Sequence, residues 1–381
     1  MSASEIEFRK VAGMFTSAFV PVVKVTEVSG GKNAFSALVY QCKMNVDWDG
    51  SPWAYGRDNP RDARPPQLVW DKREEKDGGQ KYVRERKEDH FQRDLKPLEF
   101  PGFHGSLRDA TFPTKDAAGN AIGFSVDNHP FEWVGVVSAT RKEASDNNLW
   151  IDDRANLRDR FGKFPVIQKV GPSRGYYVSQ TPAAISAAQK QATPGWKFLQ
   201  SSYWDATAIP YCVWPSMLGH GVRKGDFGLV IANTTGRSAG FFFADTGSTN
   251  KLGECSGHLV TTVAGSPLQN DAMVTFMVFP GSGSGDSRQG QEAFVDACVK
   301  SHISKLSDVP NAEELITFLS LGANPDAFNK AGYGSIKSKD VLPTQGTPAA
   351  TYENVRYALK QRGFHSARKP LDINATSSVL P

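Results

Sequence analysis

The amino-acid sequence predicts a mainly β fold, of the β-rich α+β class. Apolar segments are short and often alternate with polar residues, as half-buried strands do. Glycine and proline are frequent, at 35 and 23 of 381 residues, so turn signals recur along the chain. Sustained helical spacing is concentrated beyond residue 286. With 39% hydrophobic residues, the chain can build one large core or two modest ones.

The elements follow in chain order. Residues 11–23, "VAGMFTSAFVPVV", are apolar enough for the core of a signal peptide. Glu5 and Glu7 spoil the positive head, and no small-x-small cleavage site follows, so the stretch through "VVKVTEV" reads as the first strand. Location is left open between the cytoplasm and a non-classical export route. "FSALVYQCKMNV", 35–46, alternates as a strand, and "DWDGSPWAYGRDNP" after it is a loop. Residues 71–99 mix both signs of charge and read as a solvated insertion or exposed helix. Residues 100–150 are irregular, with "EWVGVVSAT" as one strand. "FPVIQKVGPSRGYYVSQTP" reads as two strands about a turn, and 183–192 as a short helix.

Three further strands are "AIPYCVWP", "DFGLVIAN" and "SAGFFFAD", the last two joined by the hairpin signal "TTGR". "SGHLVTTVAG" reads as a short helix, and "AMVTFMVFPGSGSG" as a buried strand entering a loop. "QEAFVDACVKSHISKL" and "NAEELITFLSLG" have helical spacing, with Asn311 and Glu314 as a capping-box signal. The expected organisation is therefore a domain at 1–285, carrying the charged insertion 71–99, and an accessory helical segment and tail at 286–381.

Composition narrows the function. The net charge of +4 is small and interspersed, unlike the basic stripe of a nucleic-acid binder. No apolar run approaches the roughly 20 residues that span a bilayer. Cys42, Cys212, Cys255 and Cys298 are widely spaced and read as buried hydrophobes rather than a disulfide frame. His220 and His258 lack partners at ligand spacing, so neither a metal nor another cofactor is expected. Ser256 has no evident His-Asp set. The oligomeric state is left open.

The segment with chemistry is "GRSAGFFFADTGSTNKLGECSGHLV", 236–260. A hydrophobic strand delivers Asp245, and Glu254 follows beyond a polar turn. Glycosidic bonds are cleaved by two such groups, one giving a proton to the leaving oxygen and one activating water or attacking the sugar. Burial behind Phe241, Phe242 and Phe243 would hold Asp245 protonated, while Lys251 would favour an ionised Glu254. An Asp before Gly also reads as a turn residue bonding its own backbone. Asp47 and Asp49 in "NVDWDGSPWAY", with Trp53 and Tyr55, read equally as a substrate-binding surface or as a turn with structural aromatics. Asp205 and Asp226 read as caps.

The unit "GDFGLVIANTTGRSAGFFFADTGSTNKLGECSGHLV" resembles the core of the fungal-type chitosanases, glycoside hydrolase family 75. That family has a Gly-Asp-apolar strand, a hairpin, an apolar strand ending in D-x-G-P, and an I-G-E-x-S segment. "CKMNVDWDGSPWAY", "YYVSQT", "WDATAIPYCVWP" and "VTFMVFPGSGSG" are similar to its flanking segments, so the resemblance spans roughly residues 38–285. It implies Asp245 and Glu254 as the catalytic pair, inversion at the anomeric carbon, and no cofactor. Ser248 replaces the family's Pro, Cys255 replaces a small residue, and 71–99 has no counterpart. The pattern is also similar to double-psi β-barrels. That analogy implies a six-stranded barrel core, with Asp245 as acid and Glu254 as base.

The expected function is endo-hydrolysis of β-1,4 bonds in a chitosan-like amino-sugar polymer. Peptidoglycan is the alternative polymer, because a basic chain suits an anionic wall. A carbohydrate-binding module that has lost catalysis is the alternative of another class.

Overall fold

The computed structural model describes residues 5–17, 20–30, 35–55, 69–76, 79–85, 111–113, 131–153, 157–171, 173–247, 250–265, 273–283, 290–309, 311–324, 326 and 349–365. The chain forms two compact units, one from Met1–Asp47 with Ala208–Pro381 and the other from Trp48–Thr207.

Among the described residues, the first unit is built on a sheet of nine strands: β1 (Glu7–Lys10), β2 (Val25–Gly30), β3 (Phe35–Lys43), β4 (Asn45–Asp47), β5 (Tyr211–Trp214), β6 (Phe227–Ile231), β7 (Ser238–Thr246), β8 (Glu254–Ser256) and β9 (Met273–Val278). They pair in the order β1-β2-β3-β9-β6-β7-β5-β8-β4. The β5–β7 and β4–β8 pairs are parallel and the rest antiparallel, so the sheet is large and mixed. Its ladder ends at β1 and β4 and is not a closed barrel. Met44 alone separates β3 from β4, so one stretch of chain borders both ends of the run β9-β6-β7-β5-β8.

One face of the sheet buries Tyr40, Cys42, Cys212, Phe241, Phe243, Cys255 and Phe276 in a continuous cluster. Phe241 meets Phe243 and Phe276 edge-on, with centroids 5.6 and 5.9 Å apart, a geometry that adds to burial alone. Ala239 to Ala244 are buried without interruption, so "SAGFFFAD" is a strand covered on both faces and reads as a continuous apolar run.

Helices cover the other face of β6 and β7. They follow α1 (Gly257–Ala264) in the chain and are α2 (Glu292–Ser304), α3 (Ala312–Ser320) and α4 (Ala349–Gln361). A Cβ on Gly240 would meet Val295 and Val299 of α2 at 3.1 Å, so the small residue sets how closely helix and strand approach. Phe294 meets Phe227 edge-on at 6.0 Å. The buried Arg356 lies 3.6 Å from Glu313, and Tyr352 also bonds that carboxylate, which joins α3 to α4. Asn311 stands at the N-cap of α3 and donates to the Glu314 carboxylate at 3.2 Å, but its side chain bonds no N–H of that helix. Its Oδ1 instead accepts the Ile6 N–H at 2.7 Å, tying the helices to the N-terminal end of the chain. The described helices after residue 286 thus share the core of the first unit.

In the second unit, Phe164–Ile167 pairs with Ser138–Ala139 on one edge and Trp150–Ile151 on the other. Val137, Val166, Val178, Phe198 and Tyr203 form its buried cluster. The stretch "EWVGVVSAT" divides between two strands, Phe131–Trp133 and Ser138–Ala139. Within the charged stretch, Val69–Lys76 and Gly79–Glu85 pair antiparallel rather than forming a helix. Residues 77–78 and 86–99 lie outside the described residues.

Val295, Val299, Ile303, Leu315 and Leu319 are fully buried. A chain ending at residue 285 leaves the sheet face beneath them bare, at a cost of roughly 2 kcal/mol for each large apolar side chain newly exposed to water. It is expected to lose its cooperative thermal transition and to bind a hydrophobic dye. A cooperative melt at the full chain's midpoint would show the helices to be dispensable.

Candidate active site

Ala239, Phe241 and Phe243 point from β7 into the core, and Asp245 is the next residue of that alternation. The core ends there, and the carboxylate is left half-buried at the rim. β5 runs parallel beside it, with Val213 opposite Asp245 and a register shift between Cys212 and Val213. Such irregularities re-aim side chains at strand ends. The Thr246 N–H donates to Asp245 Oδ1 at 2.6 Å.

Gly247 explains the glycine of the "DTG" step. A Cβ there would lie 2.5 Å from Val213 Cγ1 and 3.2 Å from Glu254 Oε2. Only a residue without a side chain lets the backbone pass between them. The chain then returns through Lys251–Leu252, which pairs parallel with Phe15–Ser17. Gly253 follows at φ +87°, with Asn45 donating its N–H to the Gly253 carbonyl at 2.7 Å. A Cβ at Gly253 would lie 2.3 Å from the Lys43 carbonyl oxygen, so this crossing also requires glycine.

Glu254 opens β8. That strand pairs antiparallel with β5 through Cys212 and Cys255, and parallel with β4 through Glu254–Asn45 and Ser256–Asp47. The strand order β7-β5-β8-β4 therefore brings Asp245, Glu254 and Asp47 to neighbouring strands, with β5 between the first two. Tyr211 of β5 donates its hydroxyl to Asp47 Oδ2 at 3.3 Å. Ser256 is a structural residue. Its hydroxyl donates to the Ile209 carbonyl at 2.7 Å and accepts the Leu259 N–H at the start of α1.

Charge follows from this placement. Burial pushes the Asp245 carboxyl up to about 6, against Thr246 N–H and Lys224, which favour ionisation; the charge of Glu254 adds to the rise. Lys251 Nζ lies 3.8 Å from Glu254 Oε1. Beneath them the Cys212 and Cys255 sulfurs are 3.4 Å apart, and burial pushes both thiols up.

Asp49, Trp53 and Tyr55 belong to the second unit, whereas Asp47 ends the first segment of the first unit. Tyr55 is buried and donates its hydroxyl to Asp49, beside Gly135, whose absent side chain leaves room for both. Trp53 meets Tyr176 edge-on at 5.6 Å. Both contacts lie within the second unit. Asp205 Oδ1 accepts from the Thr207 N–H and hydroxyl, as a cap does. Asp226 is fully buried and accepts the N–H groups of Arg223, Gly281 and Gly283 at 2.7–2.9 Å, tying the loop before β6 to the loop after β9.

Tyr211, Lys224 and Gly247 carried no separate signal in the sequence. Among the described residues, no group of three His, Cys, Asp or Glu side chains could hold a metal ion. No described helix is long and apolar enough to cross a membrane. The chain matches no family model and no curated protein.

The Asp245 shift has a consequence for stability. Its folded value, about 6, exceeds its ordinary 3.8, so between these the folded state binds the extra proton and stability falls as pH rises. At neutral pH the folded protein carries a carboxylate that burial disfavours. Asp245→Asn is expected to stabilise by roughly 1–2 kcal/mol at pH 7.5, the full shift being discounted for partial exposure. The gain should vanish below about pH 4, where Asp245 is protonated in both states. Thermal melts at the two pH values check this; an equal or negative shift at pH 7.5 overturns the placement.

Proposed function

We propose that the protein is an endo-acting glycoside hydrolase that cleaves β-1,4 bonds of a chitosan-like amino-sugar polymer by an inverting acid/base mechanism. The observation that carries this reading is the half-buried Asp245, raised to about 6, beside Glu254, which sits next to Lys251. A carboxyl group that burial holds protonated, with a second carboxyl group near it, is what an acid role requires.

Asp245 gives its proton to the glycosidic oxygen as the bond to the anomeric carbon breaks. Glu254 takes a proton from water as the water oxygen bonds that carbon from the opposite face. One water is consumed, and exchange with solvent returns the proton from Glu254 to Asp245. The intervening β5 supports inversion rather than retention. Adjacent strands lie about 4.8 Å apart, so the backbones of β7 and β8 are separated by roughly twice that. This suits the spacing of about 6.5–9.5 Å that leaves room for the water.

A double-psi-like closure is part of the proposal. It is supported by β4 continuing β3 after Met44, and by the parallel β5–β7 and β4–β8 pairs. Peptidoglycan, an amino-sugar polymer that also bears carboxylates, is the second reading, favoured by the net charge of +4.

A reducing-end assay on chitosan, chitin, cellulose and peptidoglycan tests the reading. Asp245→Asn and Glu254→Gln are each expected to fold and to lose about 10²–10⁴-fold in rate. Activity within a few-fold of wild type in either would move the chemistry elsewhere, with Asp47 next in line.

The pH profile is a separate expectation. Asp245 must be protonated to act as acid, so kcat/KM should fall about tenfold per unit above about pH 6. A kcat/KM unchanged between pH 6 and pH 8 would remove Asp245 from the acid role.

A further inference from the structure

From Arg160 to Trp204 the chain carries six cationic side chains, Arg160, Lys163, Lys169, Arg174, Lys190 and Lys197, and no carboxylate. A shorter run of five cations, from Arg356 to Lys369, lies in the first unit, so this run is the longest in the second unit but not a pattern peculiar to it. Its cations are also placed in a distinctive way. Lys169 and Arg174 lie over the Trp150 ring, at 5.4 and 5.3 Å from its centroid. Lys190 lies 4.8 Å over Trp196, Lys197 lies 4.6 Å over Phe198, and Arg160 lies 4.7 Å over Phe161.

The two tryptophan clusters flank one turn. Lys169 Nζ donates to the Asn148 carbonyl at 2.6 Å. Asn147 Oδ1 is 3.1 Å from where a Cβ on Gly195 would be, next to Trp196. The carboxylates on the flanking segment 141–153 are engaged. Glu143 pairs with Lys197 at 3.0 Å, Asp146 with Lys142, Asp153 with Arg141 at 3.4 Å, and Asp152 accepts the Tyr177 hydroxyl. Lys169 and Lys190 are held by a carbonyl and by aromatic rings, which leaves their charge directed to an external anion.

We propose that this face of the second unit binds a carboxylate-bearing glycan. Cations already fixed over rings lose little freedom on pairing with a carboxylate. The indole edges offer apolar surface to sugar C–H groups. A single-stranded nucleic acid would need open aromatic faces on which bases stack, and here cations roof the rings. A polycation such as chitosan would be repelled. The proposal goes beyond the acid/base reading and does not rest on it, because the face lies in a different unit from Asp245 and Glu254.

The test uses the full chain and galacturonate oligomers as probe, with their methyl esters as the same rings without charge. Titration calorimetry is expected to show binding that weakens with salt, and at least tenfold weaker binding of the methyl esters. Lys169→Ala with Lys190→Ala should weaken galacturonate binding at least tenfold with an unchanged melting temperature. Lys300→Ala with Lys360→Ala, an equal charge change on the helices of the first unit, should bind as wild type. Glu254→Gln should also bind as wild type, which separates this proposal from the fate of the hydrolase reading. The proposal is overturned if galacturonate does not bind, if its methyl esters bind equally, if the Lys169 and Lys190 variant binds unchanged or no worse than the Lys300 and Lys360 variant, or if an oligothymidylate of equal length binds tighter.

Discussion

The strand Tyr211–Trp214 is paired on both edges, parallel to the strand of Asp245 and antiparallel to that of Glu254. The candidate site depends on this pairing. Four residues suffice because each has a separate task. Tyr211 reaches Asp47, Cys212 packs on Cys255 in the core, Val213 lies opposite Asp245, and Trp214 accepts the Gly247 N–H through its carbonyl. A residue bulkier than cysteine at 212 would press on Cys255 and displace β8, and Glu254 with it. The register shift after Cys212 lets the strand pack inward at one end and frame the carboxylates at the other.

The same packing sets the electrostatics. The thiols beneath the site are neutral at ordinary pH, because burial pushes them up. Asp245 therefore stands on an apolar, uncharged floor, and its charged form loses solvation without gaining a strong partner. Lys224 and one backbone N–H offset part of that loss, not all of it. Asp226 is the contrasting case. That carboxylate is more deeply buried, yet three backbone N–H groups satisfy it. It ties loops together, as a well-bonded buried carboxylate does. A carboxylate left short of donors costs stability in the folded state, and such a cost is commonly found where a proton must be held for chemistry.

Local pattern made much of this legible in the sequence. The apolar run of "SAGFFFAD", the hairpin after "DFGLVIAN" and the helix after Glu254 each have a local signal of their own. The two carboxylates drew attention because a Phe-rich strand ends on Asp245 and Glu254 follows beyond the turn, although an Asp in that place also reads as a turn residue. What could not be read was pairing across the sequence. Tyr211 enters the site because β5 lies between β7 and β8, and no period in "AIPYCVWP" encodes that neighbour. Gly247 is required by Val213 and Glu254, which are distant from it in pattern though near in space. Asp47 and Asp49 looked like a single constellation, yet the boundary between the two units falls just after Asp47. Asn311 had the spacing of a cap, but a buried bond to Ile6, 305 positions away, claimed its side chain. Local propensity loses to a buried long-range bond whenever the alternative is an unpaired amide in the core.

The division at Asp47 also bears on how polymer recognition and chemistry relate. The chain leaves the first unit after Asp47 and re-enters it at Ala208. Ser256 binds both junctions: it is the register partner of Asp47 on β4, and its hydroxyl donates to Ile209. Tyr211 then bonds Asp47 directly. The two ends of the insertion are therefore fixed by the sheet, and loop-closure entropy grows only as the logarithm of insert length, so a large insert costs little more than a short one. An insert anchored in this way can change its surface without moving β7, β5 or β8. Charge distribution agrees with such a separation. The candidate pair Asp245 and Glu254 stays with the first unit, while the run of six cations between Asp159 and Asp205 belongs to the second. Acid/base chemistry needs the first set and is indifferent to the second, whereas capture of an anionic polymer needs the reverse. Two charge patterns that would oppose each other within one surface are compatible when carried by two units of one chain.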